Sequence, residues 1–366
     1  VFINRVYRYY QLVGSIDGMR TTAFMSTAYP RSLQQTVIER RELRPDDVDV
    51  RVTHCGVCHS DLHALASAGP EAGLVPGHEF VGEVVAVGSD VTSFTPGDAV
   101  AVGNIVDSCG TCTMCLRGQE NFCVEFPTLT YAGRDRVDGS TTLGGYSGRY
   151  VVRDTFVYHR PTSLDPAGVA PLMCAGITVW EPLRTNGVGE GTRLGVVGLG
   201  GLGHLAVRLG HALGAEVTVF TTSEGKAADA RRLGASRVAV STDVDAMTAA
   251  AGSLDLVIDT VSVEHDLAPY LRVLDLDGTL YSLGYLGPID IQTMDLLLGR
   301  KRLTSAGSGG RRWTQDLLDF CGTHGVTADV EVVSAADVDV ALDRLARNDV
   351  RYRFVLDLAD IDAELA

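Results

Sequence analysis

Two periods of apolar residues divide the chain. From about Ala23 to Pro96 short runs alternate or are β-branched, as in Thr36-Val37-Ile38-Glu39-Arg40 and Val48-Asp49-Val50-Arg51-Val52. A period of two predicts strands. Phe80 to Gly88 predicts another strand, and Pro96-Gly97-Asp98 a turn before the strand Ala99-Val100-Ala101-Val102. Tyr146 to Val152 returns to strand character, and Asp165 to Leu183 predicts a helical connection. From Arg193 the pattern becomes strand–helix alternation. Strands are predicted at 193–197, 217–220, 237–240, 254–260, 278–283 and 303–306, with helices reaching Leu213 and at 226–233 and 265–274. That order predicts a doubly wound parallel sheet. The last part, Trp313 to Ala366, predicts two helices and the strand Arg353-Phe354-Val355-Leu356-Asp357, returning to the first domain.

Composition narrows the class. A chain of 366 residues is too long for one ordinary core and predicts two domains. Apolar content of 45% and charged content of 21% are those of a globular protein, and no apolar run is long enough for a membrane span. A net charge of −15 excludes a nucleic-acid surface, which needs clustered Lys and Arg. Val1 to Gly18 lacks the apolar core and cleavage site of a signal peptide and is expected to be an N-terminal extension. The expected location is cytoplasmic.

Eight cysteines then change the picture. Cys109-x2-Cys112-x2-Cys115-x7-Cys123 falls in a polar loop, and four thiolates at this spacing can enclose one tetrahedral, structural zinc. An iron–sulfur cluster is the competing metal, although the spacing differs from the ferredoxin patterns. Cys58-His59-Ser60-Asp61-Leu62-His63, answered by Gly77-His78-Glu79, offers a thiolate, imidazoles, carboxylates and a hydroxyl. That set suits a zinc that polarises an oxygen, with a route for a proton. Cys174, in an apolar segment, reads from its neighbours as a core residue. Gly198-Leu199-Gly200-Gly201-Leu202-Gly203 follows a strand and opens a helix, the context in which G-x-G-x-x-G binds a dinucleotide pyrophosphate. At the end of the next strand stand Thr221, Thr222 and Ser223, followed by Lys226, where an NAD site would carry a carboxylate. This run favours the 2′-phosphate of NADP(H), while Glu224 keeps NAD open and Ser223 also fits a helix cap.

Together these residues resemble the zinc-containing medium-chain alcohol dehydrogenases, and within them the cinnamyl-alcohol-dehydrogenase-like group. The carriers are Gly56 to His63, Pro76 to Glu79, the four-cysteine lobe, Pro171 to Val179, Gly198 to Gly203 and Asp349 to Val355. The resemblance implies a GroES-like β-rich catalytic domain at 19–168, a Rossmann domain at 169–308, and a return to the first domain at 309–366. It implies two zinc ions per chain: a catalytic one on Cys58, His78 and Cys174 with Glu79 as an exchangeable ligand, and a structural one on Cys109, Cys112, Cys115 and Cys123. Ser60 and His63 become a proton relay and Asp61 the support of a ligating imidazole. His59 and Arg353 fall on the cofactor phosphates, and Val261, Leu283 and Gly284 at the nicotinamide. Arg353 equally suits an interfacial ion pair. The implied reaction interconverts primary alcohols and aldehydes with NADP(H), in a homodimer without nucleic-acid or membrane partners. A polyol or other secondary-alcohol dehydrogenase is the alternative within the superfamily, and a non-catalytic NADPH-binding protein the alternative outside it. Between His63 and Pro76 the chain lacks the tryptophan and longer loop that relatives often carry, which implies a differently shaped entrance.

Overall fold

The computed structural model describes residues 19–28, 32–68 and 73–363. The expected extension at 1–18, and residues 69–72 of the segment before Pro76, lie outside the described residues. No helix among them is long and apolar enough to cross a membrane.

The first domain is built on a mainly antiparallel sheet. Its strands run in the order Val330–Ser334, Arg353–Asp357, Asp47–Val57, Phe80–Val87, Ala99–Val102 and Val157–His159, and Arg149–Arg153 also pairs with Asp47–Val57. Alternation sets the faces: Val48, Val50 and Val52 are fully buried, while Arg51 is exposed. The Arg353–Asp357 strand joins this sheet antiparallel beside Asp47–Val57. Val330–Ser334, unmarked by the apolar pattern, is the sheet edge. Its alternate residues are exposed, which removes the hydrophobic signal.

The second sheet is wholly parallel. Its strands are β1 Arg193–Val197, β2 Glu216–Thr221, β3 Arg237–Val240, β4 Leu254–Asp259, β5 Leu274–Ser282 and β6 Arg302–Ser305, in the spatial order β3-β2-β1-β4-β5-β6. The order reverses between β1 and β4. In an open parallel sheet that reversal opens a crevice beyond the strand C-termini. The turn after β1 and the segment after β4 meet there.

Two helical predictions are corrected. Asp165–Leu183 is Pro166–Val169, a 3-10 turn at Ala170–Met173, and Ala175–Thr185, with Cys174 at the break. His265–Leu274 shrinks to Ala268–Arg272, because Asp266 accepts the Ala268 N–H at 2.9 Å and Pro269 occupies the first turn. Leu274 then begins β5. The helix Arg311–His324 buries Leu317, Leu318 and Cys321 in the cluster that includes Trp180, Leu194 and Leu205. That cluster also takes in Tyr352 and Val355, so one core runs from the parallel sheet into the first domain.

Candidate active site

The helix His59–Ser67, α1, decides where the first sulfur stands. Cys58 is its N-cap, in extended conformation, and Asp61 Oδ2 accepts the Cys58 N–H at 2.9 Å. This closes a capping box in which a thiol takes the place of the usual hydroxyl. Asp61 is fully buried and has two further anchors on the next segment: Oδ1 accepts the Gly77 N–H at 3.1 Å and meets His78 Nδ1 at 3.1 Å. Tyr146 donates its hydroxyl to Oδ2 at 3.1 Å. One carboxylate therefore fixes Cys58 relative to His78, and the Nδ1 contact leaves His78 Nε2 free as a ligand atom.

That Nε2 lies 3.2 Å from Cys174 Sγ, and Cys174 Sγ lies 3.9 Å from Cys58 Sγ. All three donor atoms fall within 4.8 Å of one another. The break at Cys174 lets its thiol enter this group while the following helix continues into the core. The Cys174 thiol and Arg353 draw Cys58 well below the ordinary thiol range against the cost of burial, while Cys58 and burial hold Cys174 well above it. Two adjacent sulfurs, one buried and one partly so, whose ionisations oppose each other fit a divalent cation, which lets both ionise. Cys55 points elsewhere, into the core of the first domain.

Glu79 is fully buried, and its Oε1 is paired with Arg353 Nη2. Burial, offset in part by Arg353, pushes its carboxyl up to about 7. Its Oε2 has no hydrogen-bond partner among the described residues, which leaves one buried oxygen for an exchangeable contact. Arg353 is buried too and touches the glycine turn: a Cβ on Gly201 would stand 3.0 Å from its Cδ and Nη1. The metal-ligand cluster and the glycine turn are thus separated by a single ion pair.

Gly198 and Gly203 show why the turn needs glycine. Gly198 has φ +86, and a Cβ on Gly203 would come within 2.1 Å of the Gly198 carbonyl oxygen. The helix Gly203–Ala212 starts there, and His204, which the sequence reading did not single out, locks it. His204 is fully buried, its Nδ1 lies 3.0 Å from the Gly200 carbonyl, and its Nε2 accepts the Asp329 N–H at 3.3 Å. Its ring stacks on Tyr352 at 4.8 Å. At the far end of the crevice, Thr222 and Lys226 are exposed, whereas Ser223 accepts the Gly225 N–H at 3.2 Å and serves as the cap. Thr221 Oγ1 accepts the Ser223 N–H at 3.3 Å. Lys226 borders a cavity of about 330 Å³ with Leu199, Asp229, Arg351 and Tyr352.

On α1, Ser60 and His63 are exposed on one face, three residues apart, and Ser60 Oγ lies 3.7 Å from Cys58 Sγ. His59 is half-buried, and burial lowers its pKa against the pull of Cys58. Tyr131, also missed in the sequence, meets His78 edge-on at 5.5 Å. The remaining cluster lies in a separate lobe. Cys109, Cys112, Cys115 and Cys123 have all four sulfurs within 4.8 Å of one another, and the Cys112–Cys115 separation of 3.5 Å is far too long for a disulfide. Backbone N–H groups draw Cys112 down to about 6, while burial pushes Cys115 up to about 12. As at the first cluster, a cation is what allows the whole set to ionise. Glu120 ties this lobe to the helix Arg311–His324 by accepting the Arg311 N–H at 2.9 Å.

Residues 44–162 match the model of the alcohol dehydrogenase GroES-like domain, and residues 201–346 that of the zinc-binding dehydrogenases. The chain belongs to the zinc-containing medium-chain alcohol dehydrogenases. Within them it falls in the cinnamyl-alcohol-dehydrogenase-like group. It is 44% identical to a probable formaldehyde dehydrogenase of Bacillus subtilis over 93% of this chain and 98% of the relative. It is also 44% identical to a probable mannitol dehydrogenase of Medicago sativa over 88% and 90%. A solved cinnamyl alcohol dehydrogenase of Sorghum bicolor has a TM-score of 0.89 at 43% identity, covering 93% of this chain and 98% of that one. The structure titled as a CAD of Helicobacter pylori complexed with NADP(H) has a TM-score of 0.84 at 32% identity, covering 93% and 99%. This alcohol dehydrogenase thus carries two zinc sites, one of Cys-His-Cys and one of four cysteines.

Proposed function

We propose that this dehydrogenase interconverts small primary alcohols and aldehydes with NADP(H), using Cys58, His78 and Cys174 as catalytic zinc ligands. The observation that carries the reading is the Glu79–Arg353 pair, which joins the metal-ligand cluster to the dinucleotide turn. When bound, zinc supplies Lewis acidity toward a substrate oxygen and the nicotinamide supplies or accepts the hydride. The chain does the rest. Asp61 orients His78, Glu79 offers its free oxygen as an exchangeable ligand, and Ser60 passes a proton toward His63, which reaches solvent. Gly198 to Gly203 receive the pyrophosphate at a helix N-terminus, with Arg353 beside them and His59 on the phosphate side. Val261, Leu283 and Gly284 line the nicotinamide end.

Thr222 and Lys226 support NADP(H). They are exposed where β2 ends, and no carboxylate occupies the positions from Thr221 to Ser223. The Helicobacter relative, complexed with NADP(H), agrees with this choice. A homodimer formed along β6, a sheet-edge strand, is supported by the segment that leads into it, where Leu286, Leu297 and Leu298 are exposed by 91%, 63% and 62%.

The test is a panel of formaldehyde, benzaldehyde and cinnamaldehyde with NADPH and NADH, and mannitol with both oxidised cofactors. Aldehyde-dependent loss of NADPH absorbance is expected, abolished by a chelator and restored by zinc. Turnover confined to mannitol would favour the polyol reading that the Medicago relative represents. NADPH binding with no turnover of any substrate would leave a non-catalytic binder.

A further inference from the structure

We infer that Asp259 is a positioning residue for the cofactor, acting through the Val261 backbone N–H. The inference rests on the reading above that the β1–β4 crevice receives the dinucleotide. Asp259 closes β4 at the point where the strand order reverses, and it is fully buried. Its carbonyl accepts the Leu283 N–H at 2.8 Å, which fixes its backbone to the end of β5. Its carboxylate reaches forward: Oδ1 accepts the Val261 N–H at 3.1 Å, and Oδ2 stands 3.3 Å from His265 Nε2. The side chain is therefore hydrogen-bonded to the near end of the segment 260–265, and it faces the far end at His265 without a hydrogen bond.

What that segment touches gives the hold its purpose. Thr260 donates its N–H and its hydroxyl to the Val197 carbonyl, at 3.0 and 2.8 Å. A Cβ on Gly198 would stand 3.0 Å from Thr260 Oγ1 and 3.3 Å from Val261 Cγ2. On the other side, a Cβ on Gly284 would stand 2.4 Å from the Thr260 carbonyl carbon. The Thr260–Val261 peptide is thus wedged between the glycine turn and the β5 exit. Farther along, packing gives little support. A cavity of about 520 Å³, lined by Glu264, His265, Asp266, Leu267, Ser282 and Tyr285 among others, borders the outer part of the segment. The bond from Asp259 to the Val261 N–H anchors the segment at its inner end.

Asp259 Oδ2 has no hydrogen-bond partner among the described residues, and neither has the facing His265 Nε2. A buried carboxylate so weakly compensated costs free energy. An asparagine would keep the acceptor for Val261 and present its amide N–H₂ to His265 without that cost. The expected signature separates binding from folding. NADPH dissociation constants are measured by fluorescence titration on the zinc-loaded enzyme, with zinc content and circular dichroism confirming the fold.

In Asp259→Ala the dissociation constant is expected to rise about tenfold, the equivalent of one lost buried hydrogen bond. The kcat at saturating cofactor should stay within about twofold, so the loss falls on the cofactor KM. Asp259→Asn, which keeps the acceptor, is expected to bind within about twofold of the parent and to melt at the same or a higher temperature. Parent-like binding in Asp259→Ala, or equal losses in Ala and Asn variants, would overturn the inference. Should Asp259→Ala not fold, Asp259→Leu, which fills the same space without an acceptor, takes its place; unchanged NADPH binding there overturns the inference equally. A parent enzyme that does not bind NADPH would instead refute the cofactor reading beneath it.

Discussion

His204 allows a prediction that can be worked through in numbers. Burial holds its pKa at about 3, against an ordinary 6.5, and the hydrogen bond to Gly200 only partly opposes this. The cause is visible in its partners. Nδ1–H points at a carbonyl and Nε2 receives an N–H, so a second proton would set two donors against each other. The folded state therefore refuses a proton that the unfolded chain accepts below pH 6.5. The sign follows: this group's contribution is fully present above 6.5 and is lost as pH falls toward 3. The loss is about 1.4 kcal/mol per pH unit, or roughly 2 kcal/mol between pH 7 and pH 5. In His204→Gln the titration disappears while an amide still offers a donor and an acceptor. The variant should be less stable than the parent at pH 8 by about 1–3 kcal/mol, through the lost stack on Tyr352 and poorer geometry. By pH 5 that deficit should shrink by about 2 kcal/mol. Urea unfolding of both proteins, zinc-loaded, at a series of pH values gives the difference, in which the other titrating groups cancel. A deficit that stays constant from pH 8 to pH 5 would refute the assignment of a neutral, doubly bonded His204.

Three further substitutions probe the site. Asp61→Asn puts an amide N–H₂ where two donors already point, whichever way it is turned; zinc should be lost to a chelator about 10–100 times faster, and retention equal to the parent would remove Asp61 from the support of His78. Ser60→Ala should slow alcohol oxidation by about 10²-fold with both zinc ions retained by elemental analysis, and unchanged turnover would end its relay role. Thr222→Asp adds a charge where the 2′-phosphate is expected; the ratio of kcat/KM for NADP to that for NAD should fall at least about tenfold, and a static ratio would move the phosphate site elsewhere.

Some of this site could be read directly from the sequence because its chemistry is local. The four-cysteine lobe and the glycine turn each lie within a short span, and backbone geometry carries their spacing into space. Cys58 and Asp61 are likewise three residues apart, and the capping box that joins them is a property of one helix turn. Cys174 lay beyond such reasoning. Nothing in Pro171-Leu172-Met173 predicts that the helix breaks at Cys174, and only the family resemblance connected it to Cys58. His204 and Tyr352 were hidden in a different way. Each looks like an ordinary core or interface residue, and their stack joins positions 148 residues apart. The helix prediction over 265–274 failed because the Asp266 carboxylate takes the Ala268 N–H in a local turn ahead of the helix, with Pro269 in its first turn.

The pairing of Glu79 with Arg353 was least visible of all, since the two are 274 residues apart. Its physical meaning goes beyond position. A buried ion pair gains little stability over a well-packed apolar pair, while removing either member strands a charge at several kcal/mol. Here Glu79 Oε2 and Arg353 Nε lack hydrogen-bond partners among the described residues, so the pair is not even fully satisfied. An arrangement so poor for folding makes sense where both groups have other work. Glu79 follows a histidine of the metal-ligand cluster, and Arg353 lies against the glycine turn. Because each neutralises the other, whatever draws Arg353 toward an anion loosens its hold on Glu79. On the proposed function, the pair would couple the two halves of the site electrostatically, which gives a reason for burying both charges at the junction instead of placing them on the surface.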